Sequence, residues 1–226
     1  MADAPAPAEI QDSSSDHPLP SASGRELRGT VAVGDPRQTP PRLRPTLPDW
    51  AVVTPERVDH IQRVAELADR WAQEIGIPDN ERHRWLRAVW LHDALRDADP
   101  ADLERWASST PGSPSLRHGP ASAARAKADG EIDRGVLDAV RYHSVGLAEW
   151  DMVGRVLYCA DYLEPGRQPD AEHRAELAQR FPADSRSVLR QVAAERLSHL
   201  VRSGWPIPEP TFRFWNSLAV TPSASH

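Results

Sequence analysis

Residues 79–97 read DNERHRWLRAVWLHDALRD, and their periodicity decides the fold. Trp85, Ala88, Val89, His92 and Leu95 recur at spacings of three and four, the signature of one buried face of an α-helix. Asp79 is expected to cap that helix. The stripe carries a histidine in its middle, followed at once by Asp93. Neutral imidazole and carboxylate are both good ligands for a divalent transition metal, yet a lone buried histidine is more often a hydrogen-bonded core residue. The dipeptide alone does not choose between them.

Upstream, Thr54-Pro55-Glu56 offers an N-cap, a proline at the first helical position and an acid in the first turn. A helix of about 20 residues should follow. Its apolar face runs through Val58, Ile61, Val64, Ala68, Trp71 and Ile75, and Gly76 and Pro78 end it. Downstream, a short helix near 100–107 leads into the loop SSTPGSPS. Helical patterns resume at 119–129, 131–144, 150–163, 170–180 and 184–203. The last shows Val188, Leu189, Val192, Leu197, Leu200 and Val201 on one side, a face expected to be buried. No strand alternation or internal repeat appears, so five to eight helices should form an all-α bundle over residues 49–218.

Residues 1–48 hold nine of the 22 prolines, with much Ser and Ala and no periodic apolar pattern. Such composition predicts a disordered tail, either a plain extension or a segment for a partner or for localisation. Residues 219–226 are expected to be a disordered end. The opening MADAPAPAEIQDSSSD has neither a basic start nor an apolar stretch, which does not support a secretory signal. A single cysteine, Cys159, excludes an intramolecular disulfide framework and fits a reducing compartment. No stretch approaches the roughly 18 apolar residues of a membrane span, so a cytoplasmic protein is expected. A formal charge of -6 argues against binding bulk nucleic acid. Lys127 is the one lysine among 27 basic residues, so arginine fills nearly every cationic role.

Further residues of ligand type sit on or beside the apolar stripes. His60 precedes Ile61, His118 opens a helix, His143 ends one, and Asp161 follows Val153, Val156, Leu157 and Ala160. Burying that many ionisable groups unpaired costs several kcal/mol each, and a shared metal site accounts for them together. His17, His83, His173, His199 and His226 lie off this pattern and read as solvated or structural. Cys159 reads as a packing residue.

The order His60, His92-Asp93, Asp161 resembles that of the HD superfamily of metal-dependent phosphohydrolases, with His118 and His143 at the intervening positions that two-metal members use. Within it, the YqeK-type branch of symmetrical bis(5'-nucleosyl)-tetraphosphatases is similar through RVDHIQRVAELA (57–68), LHDALRD (91–97), RHG (117–119), VLDAVRYHSVG (136–146), VLYCADYLEPGR (156–167) and PTFRFWN (210–216). The resemblance implies an HD-domain helical bundle that hydrolyses diadenosine tetraphosphate to two ADP with one or two divalent ions, typically iron. This chain departs from the branch at Arg96, usually Lys, and at Ser144, usually Thr; the first keeps a cation and the second a hydroxyl. Rival readings are an HD nucleotidase or phosphodiesterase acting on another nucleotide, and a non-catalytic nucleotide-binding regulator. The EPGR turn and the PTFRFWN ending favour the dinucleoside polyphosphate branch, and every ligand position is filled.

Carried over residue by residue, the resemblance implies metal ligation by His60, His92, Asp93 and Asp161, with Asp93 bridging. His118 and His143 would complete a second metal site or contact phosphate. Arg57 and Ser144 join them as substrate-binding residues. Arg96 and Arg167 are expected to face a polyphosphate, or else to form surface ion pairs. Asp97 is expected to orient water or protonate the leaving group, or to pair with Arg96. Tyr158, Phe212, Phe214 and Trp215 are expected either to stack an adenine or to pack in the core.

Overall fold

A computed structural model describes residues 46–107, 114–168 and 170–219, all within a compact unit Leu43–His226. The tail up to residue 45, loop residues 108–113 and the end from residue 220 lie outside the described residues. The described residues form nine α-helices and no strand: α1 Pro55–Ile75, α2 Asp79–His92, α3 Pro100–Ala107, α4 His118–Ala128, α5 Arg134–Tyr142, α6 Met152–Leu163, α7 Ala171–Arg180, α8 Ser185–Arg202 and α9 Glu209–Leu218. A 3-10 turn, Pro114–Leu116, precedes α4. The expected all-α architecture is therefore present.

Helix α1 starts and stops where its signals place it. Thr54 Oγ1 accepts a hydrogen bond from Arg57 N, and Gly76 closes the helix at φ 74°. Helix α6 is the central element, buried nearly all round and packed against α1, α2, α5, α7 and α8. Around it the largest core side chains interlock. Trp71 stacks on Phe181 with ring centroids 3.9 Å apart and donates its indole N–H to Ala178 O at 2.8 Å, which fixes α7 over α1. A smaller cluster of Leu95, Leu103 and Ala121 packs α3 beneath α4.

Arg84 on α2 reaches Asp133, the N-cap of α5, and Asp151, the N-cap of α6, at 2.6 and 2.8 Å. One guanidinium thus sets the starts of two helices relative to a third. Because Asp133 caps α5, that helix begins at Arg134, three residues later than its apolar pattern suggests. Asp79 is the first residue of α2 rather than its cap, and Pro78 holds the N-cap position without a side-chain bond.

Two features at the C-terminal end differ from expectation. Val188, Leu189 and Val192 of α8 are buried, but Val201 is 61% exposed, so the expected stripe holds only over the first half of the helix. Residues 209–218, outside the expected helices, form α9 after Pro208 and with Pro210 in the first turn. Phe214 of α9 is buried against Trp150 and Tyr158. Its ring lies on Gly146, whose φ of 87° and lack of a Cβ both permit that approach. Thr211 Oγ1 donates to Val145 O at 2.8 Å, so α9 clamps the turn that carries His143 and Ser144. No helix among the described residues is long and apolar enough to cross a membrane.

Candidate metal centre

Helix ends deliver the polar residues to one place. His92 closes α2 and Asp93 is its C-cap, His118 opens α4, His143 follows α5, Asp161 sits in the last turn of α6, and His60 projects from the second turn of α1. All six are buried, His92 completely. Gly119 permits the crowding: a Cβ there would stand 2.9 Å from Val140 O and 3.1 Å from the His143 ring.

The ring orientations share one rule. Each Nδ1 is committed to an acceptor on the outer side: His60 to Glu164 at 3.1 Å, His92 to Val89 O at 2.7 Å, His118 to Ser115 O at 2.8 Å and His143 to Val140 O at 2.8 Å. A ring that donates from Nδ1 carries its lone pair on Nε2. The four Nε2 atoms face inward, toward Asp93. Its Oδ1 lies 3.1 Å from His118 Nε2 and 3.6 Å from His143 Nε2, and its Oδ2 lies 3.8 Å from His60 Nε2 and 3.7 Å from His92 Nε2. His118 and His143 bring their Nε2 atoms within 3.0 Å of each other. His60 and His92 have buried Nε2 atoms with no hydrogen-bond partner; Asp161 Oδ1, 3.2 Å from His60 Nε2, lies off the direction such a bond needs.

Ring nitrogens crowded this closely around one buried carboxylate are the donor set a divalent cation requires. Two ligand sets share Asp93: His60, His92 and Asp93 form one, and Asp93, His118 and His143 the other. Burial lowers His92 to about 4 and also pushes His118 down, so both are neutral near pH 7, the state a ligand needs. Burial alone would raise Asp93, but His92, His118 and His143 around it hold it well below the usual carboxylate range.

A ring of charged residues orients this core. Arg57 Nη1 donates to Asp93 Oδ2 at 2.9 Å. Arg167 and Arg196 donate to the two oxygens of Asp161, at 2.6 and 2.9 Å. Arg96 Nη1 donates to Ser115 O and lies 3.1 Å from His118 Nδ1. Ser144 Oγ is 3.1 Å from His143 Nε2. Asp97 accepts from Thr54 N and stands 3.9 Å from Arg57 Nε. Of the aromatics considered for stacking, Tyr158 and Phe214 are in the core and Phe212 is exposed.

Sequence reasoning did not single out Glu164 or Arg196. Glu164 is 2% exposed and receives His60 Nδ1, Arg63 Nε at 2.6 Å and Gly166 N at 2.6 Å. Burial opposes its ionisation, but those bonds, led by His60, bring it down to about 2. The EPGR turn carried the signal, since a buried acid two residues before a glycine in a turn has backbone and side-chain donors close by. Glu164→Gln should weaken divalent metal binding about 10- to 100-fold while the helical content stays, because the amide neither fixes the His60 tautomer nor raises its basicity. Metal titration with circular dichroism on the same samples checks this.

A family model described as HD domain matches residues 57–166. The chain is similar to a symmetrical bis(5'-nucleosyl)-tetraphosphatase of Bacillus subtilis, 31% identical over 107 residues that cover 46% of this chain and 56% of that protein. A protein of the same name from Staphylococcus aureus is 31% identical over 126 residues, 50% of this chain and 60% of the relative. The chain thus spans somewhat over half the length of these curated relatives. The crystal structure of a predicted HD superfamily hydrolase involved in NAD metabolism from Clostridium acetobutylicum shares the fold, with a TM-score of 0.65 at 22% identity over 74% of this chain and 90% of that one.

Proposed function

We propose, on the match of residues 57–166 to the HD domain model, that this chain is a metal-dependent phosphohydrolase that splits diadenosine tetraphosphate symmetrically into two ADP. The observation that carries the reading is the convergence of four inward Nε2 atoms on the single carboxylate Asp93. The names of the Bacillus and Staphylococcus relatives support the substrate. Asp161 joins His60, His92 and Asp93 as a ligand in this reading. A divalent ion held there would polarise phosphate oxygens and lower the pKa of a water. Iron is the proposed ion, on the family resemblance, although these donors suit several first-row metals. The single cysteine, fully buried, supports a cytoplasmic setting.

The chain's own residues bind and orient. Arg57, Arg96 and Arg167 rim the centre with part of each guanidinium open to solvent, so an incoming polyphosphate meets three fixed forks. Arg57 is held by Asp93 at Nη1 and faces Asp97 from Nε, which fixes the direction of its guanidinium. Ser144 holds its hydroxyl beside His143, within reach of the same oxygens. Asp97 acts through Arg57 and the start of α1, the groups it touches.

The test is product analysis. Protein purified without chelator and supplied with ferrous iron under reducing conditions is incubated with diadenosine tetraphosphate beside a His92→Ala, Asp93→Ala variant. ADP as sole product, absent with the variant, is the expected result. AMP plus ATP would reject symmetrical cleavage, and no turnover by metal-loaded protein would reject the substrate.

A further inference from the structure

Helix α7 turns Ala171, Ala175 and Ala178, spaced four and three, toward α1 and the α6–α7 turn. Small residues at that spacing leave a cleft of about 390 Å³. Its floor is apolar, with Leu67, Leu163 and Ala178 almost fully buried. Its charged lining is lopsided: Arg70, Arg167 and Arg174 against one carboxylate, Glu164. That carboxylate is already engaged by His60 and Arg63. Arg174 lies over the Tyr162 ring at 3.8 Å.

Two residues belong to both the cleft and the metal centre. Glu164 orients His60, and Arg167 reaches from the cleft wall to Asp161 Oδ1 at 2.6 Å. A ligand with an apolar face and an adjoining anionic chain fits this combination: the flat part lies on the leucine and alanine floor, and the anion follows the arginines to the metal ligands. The volume is within the range of small-molecule sites, which start at about 300 Å³.

We propose that this cleft between α1 and α7 seats one nucleoside end of the substrate, with its phosphates passing over Arg167 to the metal centre. The proposal rests on the phosphohydrolase reading above. It adds Leu67, Arg70, Leu163 and Ala175 to the substrate-binding residues.

The decisive comparison is ADP against pyrophosphate, which share the phosphates but not the nucleoside, by calorimetric titration of the metal-loaded full chain. Wild type should bind ADP about tenfold more tightly. Ala175→Phe, at an exposed position on the cleft wall, should close most of that gap and leave pyrophosphate within about twofold. Arg70→Glu, on the surface, should also weaken ADP more than pyrophosphate. Equal wild-type affinities, or an unchanged gap in both variants, overturn the cleft proposal alone. Wild-type protein that binds neither ligand overturns the phosphohydrolase reading and the cleft with it.

Discussion

Asp93→Asn should purify with little bound metal and lose about 10³-fold or more in hydrolysis, while unfolding at nearly the wild-type temperature in chelator. The substitution keeps volume and shape and removes one charge. That charge is the only carboxylate common to both ligand sets, with one oxygen facing His118 and His143 and the other facing His60 and His92. Four imidazoles around an amide leave a divalent ion with no compensating anion except Asp161, which two arginines already neutralise. The amide nitrogen can donate to one of the inward lone pairs, so the metal-free core should tolerate the change. Elemental analysis, assay and thermal unfolding of one preparation separate these effects. Wild-type metal content in the variant would show that Asp93 does not bridge the two sets.

Most of this cluster was legible because its residues interrupt apolar stripes. His92 falls where α2 demands a core residue, and Asp161 where α6 does. A helix period predicts the side chain's direction, so an ionisable residue on the buried face announces itself. Glu164 and Arg196 gave no such warning. Glu164 lies one residue past α6, where no period applies, and its burial arises only when α1 brings Arg63 across it. Arg196 lies among exposed and half-buried residues of α8, and its guanidinium enters the core along its own stem, a reach that Cα periodicity does not encode. Helix α9 was hidden for a third reason. Proline breaks a helix in its interior, yet Pro208 at the N-cap and Pro210 in the first turn start one. Val201 shows the converse: an apolar pattern continued into a turn of α8 that the described residues leave 61% exposed.

Arg196→Met is expected to destabilise the metal-free protein by about 3 kcal/mol, the larger of the stability effects considered. The guanidinium is buried, donates to Asp161 Oδ2 at 2.9 Å and to Tyr158 O at 3.3 Å, and sits 4.3 Å over the Tyr158 ring. Methionine fills much of the stem's volume, so the loss reports the charge more than a cavity. What remains is a buried Asp161 carboxylate whose ionised state Arg196 and Arg167 both support against the cost of burial. Arg167 still neutralises Oδ1, which places the loss at the lower end of the range for breaking a buried pair. Asp161→Asn in the same background should recover at least half of it, because the stranded charge is then gone. A divalent ion bound at Asp161 would offset part of the same deficit, so urea unfolding should show a smaller loss with saturating metal than in chelator. Equal losses in the two conditions would place Asp161 outside the ligand set, leaving the ion to His60, His92 and Asp93.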